Sequence, residues 1–540
     1  LVCGISGSSS EAKAAGVPPL LATIGESGRL MSHFLGIDIG TGGARCLVID
    51  GEGRVRGSAT AEYPLSTPRP LWAEQEPEDW WQAVLRAAPE SMRQAGVSGA
   101  DIGAIGLSGQ MHGAVFLDAA GQVIRPAILW CDQRTAAECE EITGRAGADQ
   151  VARITLNPVL TGFQAPKIVW LKNNEPEAFS RVRKVLLPKD YIRYRLTGAF
   201  ATEVSDASGT SLLNVRERRW SPEMMEASFV EPEWLPECFE SVEPSAEVSP
   251  EAAERLGLRA GTPVVGGGGD QAAGGVGSGI VEPGLVSSSL GTSGVVFAYA
   301  EEPFVDPQMR THTFCHAVPG KWHVMGVVLS AGGSLRWFRD TFCQDIRARA
   351  AEQGADPYDL MTAEAAAVPP GCQGLFFLPY LSGERTPYPD PYARGVFFGA
   401  TLAHTRAHFT RAVLEGVGFA LKDSFDILRS IGVDATEVRV MGGGARSRVW
   451  RRILADIVGR THVTLNVDEG PAFGVALLAG VSQGAWSTVQ EACRATLSTV
   501  EREEPGPEAA QRYAPMHAFY SSLYAALRER FAGLARLSDE

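Results

Sequence analysis

From residue 34 onward the chain alternates short apolar runs bounded by Gly-rich turns with longer stretches of helical spacing. FLGIDIGTGGARCLVID (34–50) places two apolar runs around a Gly/Thr turn, which predicts a β-hairpin. PEDWWQAVLRAAPESMRQAG (77–96) predicts a helix, with Pro77 near its start, carboxylates in the first turn and Gly96 past its end. IGAIGLSG reads as a buried strand and AVFLDAAGQVI as another hairpin; helices fit near 134–144, 165–173 and 188–196. The stretch 215–262 is rich in Glu and Pro and poor in strand pattern. PVVGGGGD (263–270) then opens a second half with the same rhythm. A hairpin (285–300) and a further strand come first, then helices near 330–342, 406–429, 447–457 and 471–482, with strands near 374–379 and 437–441. Alternating strands and helices indicate an α/β fold. Gly40-Thr41-Gly42-Gly43 and Gly291-Thr292-Ser293-Gly294 each sit in a hairpin near the start of their half, which points to two related α/β domains.

Composition narrows the function. A chain of 540 residues predicts about two to four domains rather than a small binding module. Its 49 basic and 63 acidic side chains give a net charge of −14, a field that disfavours a nucleic-acid partner. No apolar run is long enough to span a membrane. The nine cysteines are widely spaced and odd in number, which fits a reduced, cytoplasmic protein. Residues 1–30 begin without Met and are rich in Ser, Gly and Ala, so a disordered or non-native extension is expected, with Met31 as the natural start. The two domains are then expected over 31–282 and 283–540.

Four Gly-rich turns stand out, beginning at Gly40, Gly266, Gly291 and Gly442. Backbone N–H groups in such turns can converge on phosphate oxygens. There is no G-x-x-x-x-G-K-[ST], so a P-loop is not expected. The G-x-S-x-G at 480–484 follows a helical pattern rather than a strand, so it reads as a helix end and not a nucleophile elbow. His312, Cys315, His316 and His323 could suggest a metal cluster, but the segment reads as two strands around a turn, which favours a structural role. Two carboxylates carry more weight. Asp38 breaks an apolar strand just before the first Gly/Thr turn, where a charge is costly unless it faces a ligand, water or cation. Asp270 ends the Gly run and opens a helical stretch, where an N-cap is the structural alternative. Two acids beside phosphate-binding turns suit phosphoryl transfer, one supporting Mg²⁺ and one accepting the proton of the acceptor hydroxyl.

The motifs DIGTGGAR (38–45), GGGGDQAAG (266–274), LGTSG (290–294) and GGGARSRVWRRILAD (442–456) resemble the FGGY carbohydrate kinases. GQMHG (109–113), AILWCDQR (127–134), SDASGT (205–210) and FLPYLSGERTP (377–387) resemble the branch that phosphorylates D-xylulose. The resemblance implies two actin-like (RNase H-like) ATPase domains flanking a deep catalytic cleft. It implies that Met111 and His112 bind the sugar, that Asp270 is the proton acceptor beside it, and that Asp38 supports Mg²⁺ through water. It also implies that Gly40, Thr41, Gly291 and Thr292 hold the phosphates of ATP, with Trp337 and Gly442, Gly443 and Gly444 at its adenine and ribose end. Gln271 stands where the family often has Asn, so its sugar contact is the expectation most exposed to that departure. Val159 stands where animal members have an Arg, and no role is carried over to it. The expected partners are D-xylulose and MgATP, with a homodimer left open. The rival expectations are a ribulose, gluconate or glycerol kinase of the same family, or an actin-like ATPase without a small substrate.

Overall fold

A computed structural model describes residues 33–538. The expectations for residues 1–30 lie outside the described residues. The first lobe begins with strands β1 (His33–Ile39), β2 (Gly43–Asp50) and β3 (Val55–Glu62), then helix α1 (Pro77–Ala95) and strand β4 (Ile102–Gly109). The short strands β5 (Pro244–Glu247), β6 (Pro263–Val265) and β7 (Gly268–Gly269) complete its sheet, and helix α2 (Asp270–Gly277) follows at once. β1, β2 and β3 are antiparallel neighbours, whereas β4 lies parallel to β1, and β6 and β7 lie parallel to β4.

The second lobe repeats this plan with β8 (Leu285–Leu290), β9 (Gly294–Ala300), β10 (His312–Cys315), β11 (Trp322–Val328), helix α3 (Gly332–Phe342), β12 (Glu437–Met441) and β13 (Thr461–Leu465). Helix α4 (Gly470–Ser482) and edge strand β14 (Thr499–Glu503) follow. The order β11-β9-β8-β12-β13 matches β3-β2-β1-β4-β6, with the same parallel and antiparallel senses. Each Gly/Thr turn therefore sits at the same place in its own sheet, as their repetition in the sequence suggests. The serine of the G-x-S-x-G is the last residue of α4.

What joins the lobes is visible in the composition of α4. GPAFGVALLAGVS is apolar on every side, and a helix of that kind must be enclosed. Phe34, Leu47 and Ile49 of the first sheet share one apolar core with Phe297 and Tyr299 of the second and with Ala472–Ala479 of α4. The packing is backbone against backbone. A Cβ on Gly36 of β1 would collide with the Ala472 carbonyl, and one on Gly474 would collide with the Ala273 carbonyl of α2. Only glycine lets β1, α4 and α2 lie this close.

Rigid backbone cannot yield to an added methyl, so Gly36→Ala should destabilise the protein by about 1–3 kcal/mol, the usual scale of overpacking. Urea unfolding should show a lower midpoint at unchanged slope. An unchanged midpoint would show that the sheet and α4 can separate without loss.

Candidate active site

Three parallel strands bring the key residues to one edge. Asp38 of β1 stands beside Ser108 of β4, which stands beside Gly268 of β7; Ile39, Gly109 and Gly269 form the next row. Asp270 leaves β7 directly after that row. In open α/β sheets the carboxyl ends of parallel strands are where ligands bind.

Asp270 does not cap its helix. The cap residue is Gly269, which has no side chain to offer, and the Asp270 carboxyl instead meets the N–H groups of its neighbour Gln271. The carboxyl is pushed up to about 7, mainly by exclusion of water and next by the charge of Asp38, with the Gln271 amide opposing. Gln271 Nε2 donates to Asp270 Oδ1 at 3.4 Å. Asp38 is raised to about 6 by burial, offset in part by the neighbouring Ser108 hydroxyl and by Arg45. Its Oδ1 is buried without a hydrogen-bond partner. That orphaned oxygen is the kind of hard donor a Mg²⁺ ion or its water shell would take, and Mg²⁺ needs only one or two carboxylates when substrate phosphates supply the rest. Among the described residues no three His, Cys, Asp or Glu side chains gather as a protein-only metal cage would require.

The loop after β4 carries Met111 and His112. Met111 is 3% exposed and packs its side chain against Gly269, so it spaces the β4 loop from the Asp270 loop. His112 has φ +70°, and its ring stacks on Phe163 with centroids 4.6 Å apart. Its Nδ1 lies 2.7 Å from the Gly209 carbonyl oxygen. A carbonyl only accepts, so Nδ1 carries the proton and Nε2 is left as an acceptor. Burial holds the ring neutral, down to about 3, with Lys167 and Arg385 adding to the effect.

The supporting groups are spread along the chain and were not assigned from sequence. Ser205 Oγ accepts the N–H of Gly269 at 3.1 Å. Segment 205–210 thus holds both the Asp270 loop and His112. Arg193 donates to the carbonyls of Val265 and Gly266, each at 2.7 Å, fixing the Gly run from behind. Lys189 lies fully buried between Asp190, Glu203 and Asp206. Lys167 Nζ donates to the His112 carbonyl at 2.8 Å.

The first Gly/Thr turn is closed by its own bond, Gly40 N–H to Gly43 O at 3.1 Å. Thr41 Oγ1 receives the Trp130 indole at 2.9 Å and lies 3.3 Å from Gln110 Oε1. This turn therefore abuts the His112 loop. Arg45 of β2 pairs with Glu469, just before α4, which ties the turn's second strand to the other lobe.

The second Gly/Thr turn borders a cavity of about 330 Å³. Gly291, Thr292, Gly443, Gly444, Arg336 and Tyr358 are among its lining residues. Gly442 packs against the backbone of Leu290 and Gly291 instead. Trp337, expected beside the base, does not line this cavity; it packs on Phe342 and Phe377, at 5.5 and 6.2 Å. Its neighbours Leu335 and Arg336 take the cavity side of α3.

The histidines of 312–323 belong to a buried ring cluster. His312 Nδ1 donates to Asn157 Oδ1 at 3.0 Å, His316 Nε2 is 3.0 Å from the Ile280 carbonyl, and His323 stacks on Phe297 at 4.4 Å. His316 falls just beyond the end of β10, which stops at Cys315.

These features have counterparts in known proteins. The FGGY family of carbohydrate kinases, N-terminal domain, matches residues 33–277, and its C-terminal domain matches 286–483. The chain is 42% identical to Xylulose kinase of Escherichia coli (strain K12), covering 89% of this chain and 96% of that one. It is 40% identical to Xylulose kinase of Klebsiella pneumoniae, covering 92% and 99%. Among solved structures it resembles a xyloylose kinase from Brucella ovis, with a TM-score of 0.84, 38% identity and coverage of 92% and 99%.

The bond to Gly209 makes a direct prediction. With histidine labelled in ¹⁵N, NMR should show His112 as the Nδ1–H tautomer with no titration between about pH 5 and 8, although a free imidazole titrates near 6.5. An Nε2–H tautomer, or a titration step near 6.5, would contradict the assignment.

Proposed function

The chain belongs to the FGGY family of carbohydrate kinases, and on that premise we propose that it transfers the γ-phosphoryl group of ATP to the C5 hydroxyl of D-xylulose. The observation that carries the reading is Asp270. It is the first residue of its helix rather than the cap, its carboxyl is raised to about 7, and it is placed one spacer side chain from His112. A base with a pKa near the working pH is suited to taking a proton during reaction.

Each group then has a task. His112 accepts a hydrogen bond from a sugar hydroxyl through Nε2, and Met111 sets the distance between His112 and the Asp270 loop. Asp270 takes the proton of the C5 hydroxyl as that oxygen forms its bond to phosphorus and the bond to the ADP oxygen breaks. Gln271 orients the Asp270 carboxylate by its amide. Asp38 would hold Mg²⁺, through water, at its orphaned oxygen; a bound Mg²⁺ neutralises charge on the transferring phosphates. Thr41 on one lobe, and Gly291 and Thr292 on the other, offer backbone N–H groups to the phosphates, while Gly40, whose own N–H is held by Gly43, keeps the first turn tight and open to them. The cavity between Thr292, Tyr358 and Gly443–Gly444 is the site for the nucleoside end. Trp337 acts from behind it, through the core. The family domains correspond to the two lobes, with the sugar on the first.

Two substitutions separate chemistry from binding. Asp270→Asn should lower kcat by about 10²-fold or more with little change in sugar KM, because a base is needed in the transition state. Near-normal kcat would remove Asp270 as the proton acceptor. His112→Ala should raise the KM for D-xylulose by about 5- to 150-fold, the scale of a lost buried hydrogen bond, and leave ATP affinity measured without sugar unchanged. Equal losses for both ligands would indicate a damaged cleft instead. A coupled assay over D-xylulose, D-ribulose, D-gluconate and glycerol tests the substrate itself, with D-xylulose expected to give the highest kcat/KM.

A further inference from the structure

One cation near the sugar site has no task in this scheme. Arg385 lies in LSGERTP, a loop of the second lobe laid along the end of β11. Thr386 N–H donates to the Val327 carbonyl at 3.0 Å, and Thr386 Oγ1 receives the Val327 N–H at 3.1 Å while donating to the Arg310 carbonyl at 2.8 Å. Glu384 Oε1 accepts the N–H groups of Leu329 and Arg385 at 2.9 and 2.8 Å. The loop is thus fixed from both sides of Arg385. The anchor at Arg310 is two residues from His312, whose ring lies 6.1 Å from that of Phe163, and Phe163 stacks on His112. This chain of contacts links the Arg385 loop to the His112 side of the site.

The guanidinium is unspent. Glu384 spends Oε1 on backbone N–H groups; burial raises its carboxyl to about 8 and also lowers Arg385, with the Glu384 charge opposing the latter, so neighbouring charge rather than a hydrogen bond is all that Glu384 gives the guanidinium. Among the described residues the Arg385 side chain makes no hydrogen bond and no ion pair. Its charge helps keep the imidazoles of His112 and His312 neutral. In the proposed scheme Asp270 faces the reacting hydroxyl, so a cation on the His112 side faces the other end of the substrate.

The chemistry of the substrate says what that end must be. In D-xylulose the ring form is made by attack of the C5 oxygen on C2. A free C5 hydroxyl, the acceptor in the reaction, exists only in the open chain, and the open chain carries a free C2 carbonyl. A carbonyl oxygen only accepts hydrogen bonds. His112 Nε2 is itself an acceptor and cannot serve it, and two of the three Lys167 donors are already taken by the carbonyls of His112 and Gly162. A guanidinium only donates, and it stays charged. We propose that Arg385 donates to the C2 carbonyl of the open-chain ketose, so that the second lobe selects a keto sugar while the first lobe phosphorylates it. The proposal rests on D-xylulose as substrate.

The test compares the ketose with its reduced form. Xylitol keeps the chain length and hydroxyls but has no carbonyl. Arg385→Gln should raise the KM for D-xylulose by about 5- to 150-fold, the scale of a lost charge-bearing or buried partner, while the Ki of xylitol as a competitor of D-xylulose changes little. Arg385→Lys, which keeps a donor, should recover part of the loss. Parallel rises in KM and Ki would overturn the proposal, since they show a guanidinium that only shapes the pocket. An unchanged KM would overturn it as well. A wild-type enzyme inert toward D-xylulose but active on another acceptor would overturn the functional reading and this proposal with it.

Discussion

The contact on which the structure depends is the backbone-to-backbone approach of α2 and α4. Gly474 lies against Ala273, Gly277 against Gly470, and Gly36 against Ala472, with no side chain between them. Through these contacts an apolar helix from the second half of the chain becomes the floor of the first sheet, and one core runs through both lobes. Asp270 is the first residue of α2, so its position is set by the same packing. A site divided between two sheets needs a shared element that cannot drift, and tightly packed backbone supplies it. In the proposed reaction, closing the two sheets over that floor excludes water, so that the sugar rather than solvent takes the phosphoryl group.

Electrostatics then divides the cleft. At the strand ends burial raises both carboxyls, the charge of Asp38 raises Asp270 further, and Asp38 Oδ1 is left without a hydrogen-bond partner. This is an arrangement that a cation or a proton relieves. A short distance away, His112 presents an acceptor and Arg385 a donor. The tautomer of His112 is set by Gly209, and the loop that carries Arg385 is held by Glu384 and Thr386; a guanidinium only donates, so in this scheme neither can take the other's role. Sugar recognition in this scheme comes from fixed donor and acceptor identity more than from net charge.

Much of this was legible in the sequence where a local rule was strained. Asp38 interrupts an apolar strand, the Gly/Thr turns repeat, and α4 is apolar on every side; each marks its position without knowledge of the fold. Other parts carry no local signal. β14 reads TVERE and is almost wholly exposed, so no hydrophobic alternation announces it. β5 begins at a proline in a Glu-rich stretch and lies at the sheet edge, where apolar alternation is not required. The family resemblance implies Trp337 at the adenine and ribose end, but helical spacing turns it toward Phe342 and Phe377 while Arg336 takes the cavity side. Ser205, Gly209 and Arg193 meet the site across 60 to 100 residues of chain, a relation that only the folded structure defines.

The central claim is that the cleft phosphorylates the C5 oxygen of an open-chain ketose. Incubating the enzyme with ATP, Mg²⁺ and uniformly ¹³C-labelled D-xylulose, then recording the ¹³C spectrum of the product, tests it most directly. The account predicts splitting by phosphorus at C5 and C4 alone. Splitting at C1 and C2, or ADP formed without any sugar phosphate, would contradict it.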